Sequence, residues 1–325
     1  MEKVIITGGT GFIGKHLVNR LLNCGKYSIA LVSNTHNFDA GHFGQTRPQE
    51  KLPLRHYNAD IRDKDEISKI FRNERADTCI HLAAKISVSD SIRNPDETMD
   101  INVKGTENAL EACYESQVCN FIFASSAAVY GDVRKLPITE DCALNPLSPY
   151  GTSKMLAEQC ISSYTKSKKI KNSVILRIFN VYGYGQTSQS DVITKFATGL
   201  KNKLPPVIHG NGMHTRDFIS VDDVVDSILL SIELQEEKKK KSDDDSSSLF
   251  VFNIGTGIPT SISALAKKMI EIFRLDLEPV YQQEGETKGV ILHSYTDITK
   301  AGKMLHFIPK RDIDTGLREV LNKVS

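Results

Sequence analysis

Tyr150 and Lys154 place a phenol and an ammonium four residues apart. Ser148, just ahead of them, suits a helix N-cap, because its hydroxyl can accept from an orphan amide of the first turn. Pro149 suits the first helical position, where a missing N–H costs nothing. A helix begun there stacks Tyr150 and Lys154 on one face, one turn apart. A cation beside a phenol favours the phenolate and lowers its pKa. A Tyr that ordinarily titrates near pH ~10 would then serve as an acid or base closer to neutrality. The pattern is short, and an amphipathic helix with a half-buried Tyr satisfies it as well.

The first residues add a second chemistry. Val4-Ile5-Ile6 is a short apolar run, read as a buried strand. Gly8, Gly11 and Gly14 follow, enclosing Phe12 and Ile13. A helical pattern comes next, with Ile13, Leu17 and Leu21 on one side and Gly25 as a left-handed cap. Strand, glycine turn and helix form a phosphate-binding loop: glycines admit a pyrophosphate close to the backbone, and the helix start offers amides and a positive dipole end. The second strand, Ser28 to Val32, ends in Ser33-Asn34, where a dinucleotide fold usually carries an acid for the adenine ribose. A hydroxyl and an amide can bond a ribose, but the charge that repels a 2′-phosphate is absent, and no Arg follows immediately to welcome one.

These elements alternate onward. Leu54-Tyr57, Asp77-Ala84 and Phe121-Ala124 read as further strands, and Asn102-Ala112 as a helix. Ser126 stands at the end of the Phe121 strand, and the C-terminal ends of parallel strands face the ligand crevice. His81 lies inside an apolar strand and reads as a satisfied core histidine rather than a catalytic one.

With the spacing G-x-x-G-x-x-G and the Tyr150/Lys154 pair, the chain resembles the extended short-chain dehydrogenase/reductase family. Within it, the NAD-dependent epimerase/dehydratase branch is nearest in pattern, and UDP-hexose 4-epimerases (of UDP-glucose or UDP-N-acetylglucosamine) nearest of all. The resemblance runs from about Val4 to about Leu317. It implies an α/β fold: a Rossmann-type doubly wound parallel sheet with a smaller C-terminal substrate-binding domain. Residues 1–180 would bind NAD, with 216–254 returning to that domain, while 181–215 and 255–325 would bind substrate. It implies NAD rather than NADP, and a Ser126–Tyr150–Lys154 catalytic triad. Asp60 and Ile61 match the family's pair around the adenine, and Leu82-Ala83-Ala84 its small residues along the cofactor. Phe179 and Asn180, in R-I-F-N-V-Y-G, fall where the family meets the nicotinamide and a diphosphate or sugar oxygen. Ser87 and Val88 resemble the substrate-side turn, Asn102 an active-site brace, and Arg216 in T-R-D-F a diphosphate ligand whose planar fork donates twice. A structural Arg216–Asp217 pair would satisfy the same residues.

Two departures bear on the reaction. Related dehydratases carry an acid just after the catalytic Ser or Thr; here Ala127 and Ala128 stand there, and neither can transfer a proton. The expectation is therefore inversion at C4 of a UDP-hexose through a 4-keto sugar, with a reductase or dehydratase of the same fold, or a non-catalytic NAD-binding regulator, as alternatives. Near the C-terminus the family's Arg, Asp and second Arg are replaced by Thr287, Val290 and Leu292, with Lys288 adjacent. Ser294 falls where some 4-epimerases carry a bulky Tyr, so a small residue there leaves room for an N-acetyl group.

Composition bounds the rest. The 325 residues carry 41 Lys+Arg against 40 Asp+Glu, a balance that points to neither nucleic acid nor an anionic membrane as partner. No apolar run approaches the ~18 residues of a membrane span, and the early apolar run is strand-length, not a secretory leader. The six cysteines show no paired spacing, which suits reduced thiols in a cytoplasmic protein and no metal site. Residues 236–248 are charged and lack apolar anchors, so a disordered loop is expected. A homodimer is implied by the resemblance alone.

Overall fold

The computed structural model describes residues 1–35, 38, 43, 54–186, 191–241, 247–283 and 291–323. Its strands are β1 (Glu2–Thr7), β2 (Tyr27–Ser33), β3 (Leu54–Asn58), β4 (Thr78–His81), β5 (Asn120–Ser126), β6 (Asn172–Ile178), β7 (Asn180–Tyr182), β8 (Val207–His209), β9 (Thr215–Ser220), β10 (Ser248–Ile254), β11 (Pro259–Ser261), β12 (Val280–Gln282) and β13 (His293–Ser294). Its α-helices are α1 (Phe12–Cys24), α2 (Lys64–Glu74), α3 (Val88–Arg93), α4 (Pro95–Met99), α5 (Gly105–Glu115), α6 (Pro149–Lys166), α7 (Val192–Lys201), α8 (Val221–Lys241), α9 (Ile262–Phe273), α10 (Thr299–Leu305) and α11 (Ile313–Lys323).

Seven parallel strands form the main sheet in the order β10-β6-β5-β4-β1-β2-β3. The chain winds outward from β1 in both directions, so β1 and β4 are neighbours across the topological switch point, where such sheets bind ligands. Both faces are covered, which is why β1 and β6 read as unbroken apolar runs rather than alternating ones. Leu17, Val18 and Leu21 of α1 pack with Val224, Val225 and Ile228 of α8 on one face. Ile67 and Phe71 of α2, Leu110 and Cys113 of α5 and Ile161 of α6 close the other.

Local signals set the helix ends. Asp63 caps α2 by accepting from the Glu66 amide, and Gly25 ends α1 at φ 68°. Ser148 caps α6 by accepting from Gly151 N, with Pro149 as its first residue, as its sequence predicts. The expected helix at Asn102–Ala112 is interrupted: Asp100–Lys104 form a π-turn between α4 and α5, with Asn102 inside it. Such turns often mark functional sites.

A smaller sheet, β11-β9-β13 with β7 paired to β9, and a two-stranded sheet, β12-β8, stand apart from the main one. They pack on α7, α9 and α11 through Phe196, Leu265, Met269 and Leu317. Here the structure corrects two expected boundaries. The return to the main sheet begins at α8, not at 216, because β9 belongs to the small sheet. Residues 236–241 are not loop: α8 continues to Lys241, since Glu and Lys are good helix formers and an absence of apolar anchors does not by itself end a helix. Residues 242–246 lie outside the described residues, and β10 starts at Ser248.

Candidate active site

A cavity of about 710 Å³ opens at the switch point and runs from Ser33 and Asn34 past the glycine loop to Tyr150 and Lys154. The glycine loop forms one wall. Gly8 sits at φ 71°, and a Cβ added there would lie 2.6 Å from the Ala83 amide nitrogen, so the loop and the β4 exit touch backbone to backbone. At Gly14 a Cβ would lie 2.4 Å from the Gly9 Cα. No side chain caps α1 and no acid lies in its first turn, so its amides face the cavity without competition from the protein. Bare amides, a positive dipole end and a side-chain-free approach fit a dinucleotide's diphosphate.

The far end of the cavity is arranged differently from the sequence reading. Ser33 is buried and its hydroxyl shares a hydrogen bond with His56 Nε2 at 2.9 Å, leaving Asn34 as the more exposed of the two. Asp60 is held by Arg62 through Nε at 3.0 Å and Nη2 at 2.6 Å, which keeps its carboxyl below the usual range. Arg62, which sequence reasoning passed over, therefore lines the cavity with its charge neutralised. Ile61 packs on Gly105, where a Cβ would lie 2.6 Å from its Cγ2.

At the other end α6 delivers the reacting groups. Ser126, the last residue of β5, accepts from Ala128 N at 3.2 Å and lines the cavity with Tyr150, whose pKa it pulls down. Tyr150 and Lys154 are 9% and 3% exposed. The Lys154 ammonium donates to Ala124 O at 2.8 Å and lies 4.6 Å above the Phe123 ring. Geometry thus brings Ser126, Tyr150 and Lys154 together. The electrostatics reverse one expectation. Burial raises the Tyr150 pKa, with Ser126 opposing. Lys154 is itself brought down to about 7 by burial, against the pull of Glu158. Spacing alone carries the neighbouring charge, whereas the desolvation comes from the packing of the folded chain.

Behind these groups runs a buried hydrogen-bonded chain. Thr106 Oγ1 gives its proton to Asn102 O at 2.6 Å, so it accepts from His81 Nε2 at 3.1 Å. His81 Nδ1 is then the acceptor for Thr7 Oγ1 at 2.7 Å, and Thr7 accepts from Ala83 N at 3.4 Å. Every donor has one acceptor, which fixes His81 as a neutral core tautomer; burial takes its pKa to about 3. Asn102 grips Lys85 through both N (2.7 Å) and O (3.0 Å) and donates to Ser153 Oγ (2.9 Å), which donates to Tyr150 O at 2.7 Å. Asn102 thus braces the β4 exit against α6.

The substrate-side residues divide. Phe179 is buried, and it lines the cavity with Asn180, Leu82, Ala83 and Ala84. Ser87 and Val88 do not: the Ser87 hydroxyl caps α3 through Asp90 N, and Val88 is exposed. Arg216 and Ser294 stand in register on β9 and β13 of the small sheet, outside that cavity's lining. Arg216 is not paired to Asp217, which instead accepts from Thr256, Gly257 and Thr296 amides. Among the described residues Arg216 has no carboxylate partner; it donates to Thr215 O at 2.8 Å, and its charge is disfavoured by burial. Thr287, Lys288 and Val290 lie outside the described residues, and Leu292 is exposed. Among the described residues no group of His, Cys, Asp or Glu is placed to hold a metal.

The chain is similar to known proteins over nearly its whole length. The model of the NAD dependent epimerase/dehydratase family matches residues 4–255. The UDP-glucose 4-epimerase of Lactobacillus helveticus is 32% identical over 327 residues, covering 95% of this chain and 93% of that one. The Thermotoga maritima UDP-glucose 4-epimerase, solved with UDP-glucose, superposes with a TM-score of 0.86 at 32% identity, over 99% of this chain and 98% of that one. The Methanobrevibacter ruminantium UDP-N-acetylglucosamine 4-epimerase, solved with UDP-N-acetylmuramic acid, does so with a TM-score of 0.85 at 30% identity and the same coverage.

Proposed function

The chain belongs to the NAD dependent epimerase/dehydratase family, and from that premise we propose that it inverts C4 of a UDP-hexose, either UDP-glucose/galactose or the N-acetyl forms. The observation that carries this is the convergence of Ser126, Tyr150 and Lys154 on one cavity at the switch point, with no acid at Ala127 or Ala128. NAD, when bound, would supply the acceptor and donor of the C4 hydride. The glycine loop and the start of α1 would hold its diphosphate, Asn34, Asp60 and Ile61 its adenosine end, and Lys154 and Phe179 its nicotinamide end.

The protein's own work is proton transfer and orientation. Tyr150 takes the C4 hydroxyl proton and returns it after inversion, and Ser126 bonds the same oxygen. Burial makes the phenolate costly at rest, so the Lys154 charge is needed when the proton leaves. Arg216 would take the nucleotide diphosphate, which supplies the counter-charge its site lacks. A buried Ser294 leaves space beside the sugar for an N-acetyl group. Cytoplasmic location and homodimer assembly belong to the same proposal; no described helix is long and apolar enough to cross a membrane, and light scattering reads the assembly.

The test is product chromatography of purified protein with NAD and UDP-glucose, UDP-GlcNAc and the matching GDP and dTDP sugars. Conversion to the C4 epimer without net coenzyme turnover is expected, and Tyr150→Phe should lose about 10²-fold or more in kcat. No conversion of any UDP sugar, or full activity in Tyr150→Phe, sinks the reading.

A further inference from the structure

We propose that Glu158 is a positioning residue that keeps Lys154 charged and holds β5 in place behind Ser126; this rests on the epimerase reading above. Tyr150, Lys154 and Glu158 are spaced four apart on one face of α6, and all three are buried. Burying a phenol, an ammonium and a carboxylate in a row is unfavourable unless each is answered. Glu158 accepts from Ser125 Oγ at 2.5 Å, from Arg177 Nε at 3.1 Å to each oxygen, and from Arg177 Nη2 at 2.7 Å. Lys154 donates to Ala124 O. Consecutive turns of α6 therefore hold consecutive residues of β5, and the next residue is Ser126.

The charges facing Lys154 come from four elements. On α6 stand Tyr150 and Glu158. On β5 lie the Phe123 ring, the Ala124 carbonyl and Ser126. On β4 lies His81, fully buried and neutral, whose protonation Lys154 opposes. On β6 lies Arg177, its guanidinium occupied by Glu158, Tyr130 and Glu140 O. Glu158 is thus the described carboxylate that favours the ammonium, and it also pairs with the Arg177 guanidinium. Residues four apart on a helix face are neighbours, with Cβ atoms about 5–6 Å apart, and an opposite charge at about that range moves a pKa by about 1–3 units. Because Arg177 shares this carboxylate, the low end applies, about one unit. Removing Glu158 lowers the Lys154 pKa further, so the ammonium is lost at lower pH.

The experiment is an NMR titration of protein labelled with ¹³Cε-lysine, with Lys154→Met to assign the resonance. It compares wild type, Glu158→Gln, Glu158→Asp and the double variant Glu158→Gln/Arg177→Met. The double variant leaves no unpaired guanidinium at Arg177 and serves if Glu158→Gln does not fold. Lys154 should titrate about one unit lower in the double variant, lower still in Glu158→Gln, where Arg177 is unmasked, and near wild type in Glu158→Asp. The alkaline limb of kcat/KM should move acidward in the same order. An unchanged Lys154 titration in a folded variant, or activity lost by one factor at every pH, overturns the proposal. If the wild type epimerises nothing, the functional reading fails while the titration still decides the role of Glu158.

Discussion

Arg216→Met should make the protein more stable and a worse enzyme. The guanidinium is half-buried and, among the described residues, meets no carboxylate; it donates to the carbonyl of its own neighbour, Thr215. An uncompensated charge drawn out of water costs free energy, and replacing buried charge with an apolar side chain of similar length is often stabilising. Met keeps the aliphatic stem and removes the charge, so the unliganded protein should gain about 1 kcal/mol. The same change removes charge-assisted hydrogen bonds to a diphosphate, worth about 1.5–3 kcal/mol. At about 1.4 kcal/mol per tenfold, KM for a UDP-hexose should rise roughly 10- to 150-fold, with kcat less affected because the triad is untouched. Urea unfolding at pH 7 reads the first effect. The second can be read without catalysis: UDP should raise the midpoint of the wild type by mass action and that of the variant much less. A variant that is less stable than wild type and still responds fully to UDP would show that Arg216 is a structural residue, and the argument would fall.

Three further outcomes follow from the geometry. Gly8→Ala must hold a side chain at φ 71° and drive a Cβ to 2.6 Å from the Ala83 nitrogen; left-handed strain of about 1–2 kcal/mol plus this overlap should reduce stability in urea and abolish NAD binding by calorimetry, and near-native affinity would contradict the backbone contact. Ser294→Tyr should lower kcat/KM for UDP-GlcNAc at least about tenfold more than for UDP-glucose, on the scale of a pocket that excludes one group; equal losses on both sugars would remove Ser294 from the sugar subsite. Lys154 has a folded pKa of about 7, below its ordinary value, so between the two the unfolded chain holds more protons and stability rises with pH. Lys154→Met should therefore be more stable than wild type at pH 6, with the gap closing toward pH 10, and a gap that ignores pH would mean the amine is not desolvated.

The fold was legible because its signals are local. A strand, three glycines and an amphipathic helix announce the first βα unit, and Ser148-Pro149 announces α6. What escaped depends on which side chains the packing brings together. Arg62 looked like one polar residue in a turn, yet it neutralises the acid expected at the adenosine end. Residues 236–241 looked like solvated loop, yet helix propensity carried α8 through them. A structural Arg216–Asp217 pair was open as the alternative to a diphosphate-binding Arg216, but neighbours on a strand point to opposite faces, and Asp217 turns to the Thr256 and Thr296 amides instead.

Tyr150 shows the limit most sharply. Spacing placed Lys154 beside it correctly, and a one-dimensional argument then counts the cation's pull and stops. Burial is the larger influence on both groups, raising the phenol and lowering the amine, so each opposes the charged state the reaction needs. Glu158 stands one turn further along the same helix face, so a periodicity search carried past Lys154 would have found it. Its partners would not have been found, since Ser125 and Arg177 come from β5 and β6. The sequence can therefore name the groups that exchange the proton, while the proton affinities that let them do so at neutral pH are set by contacts between elements far apart in the chain.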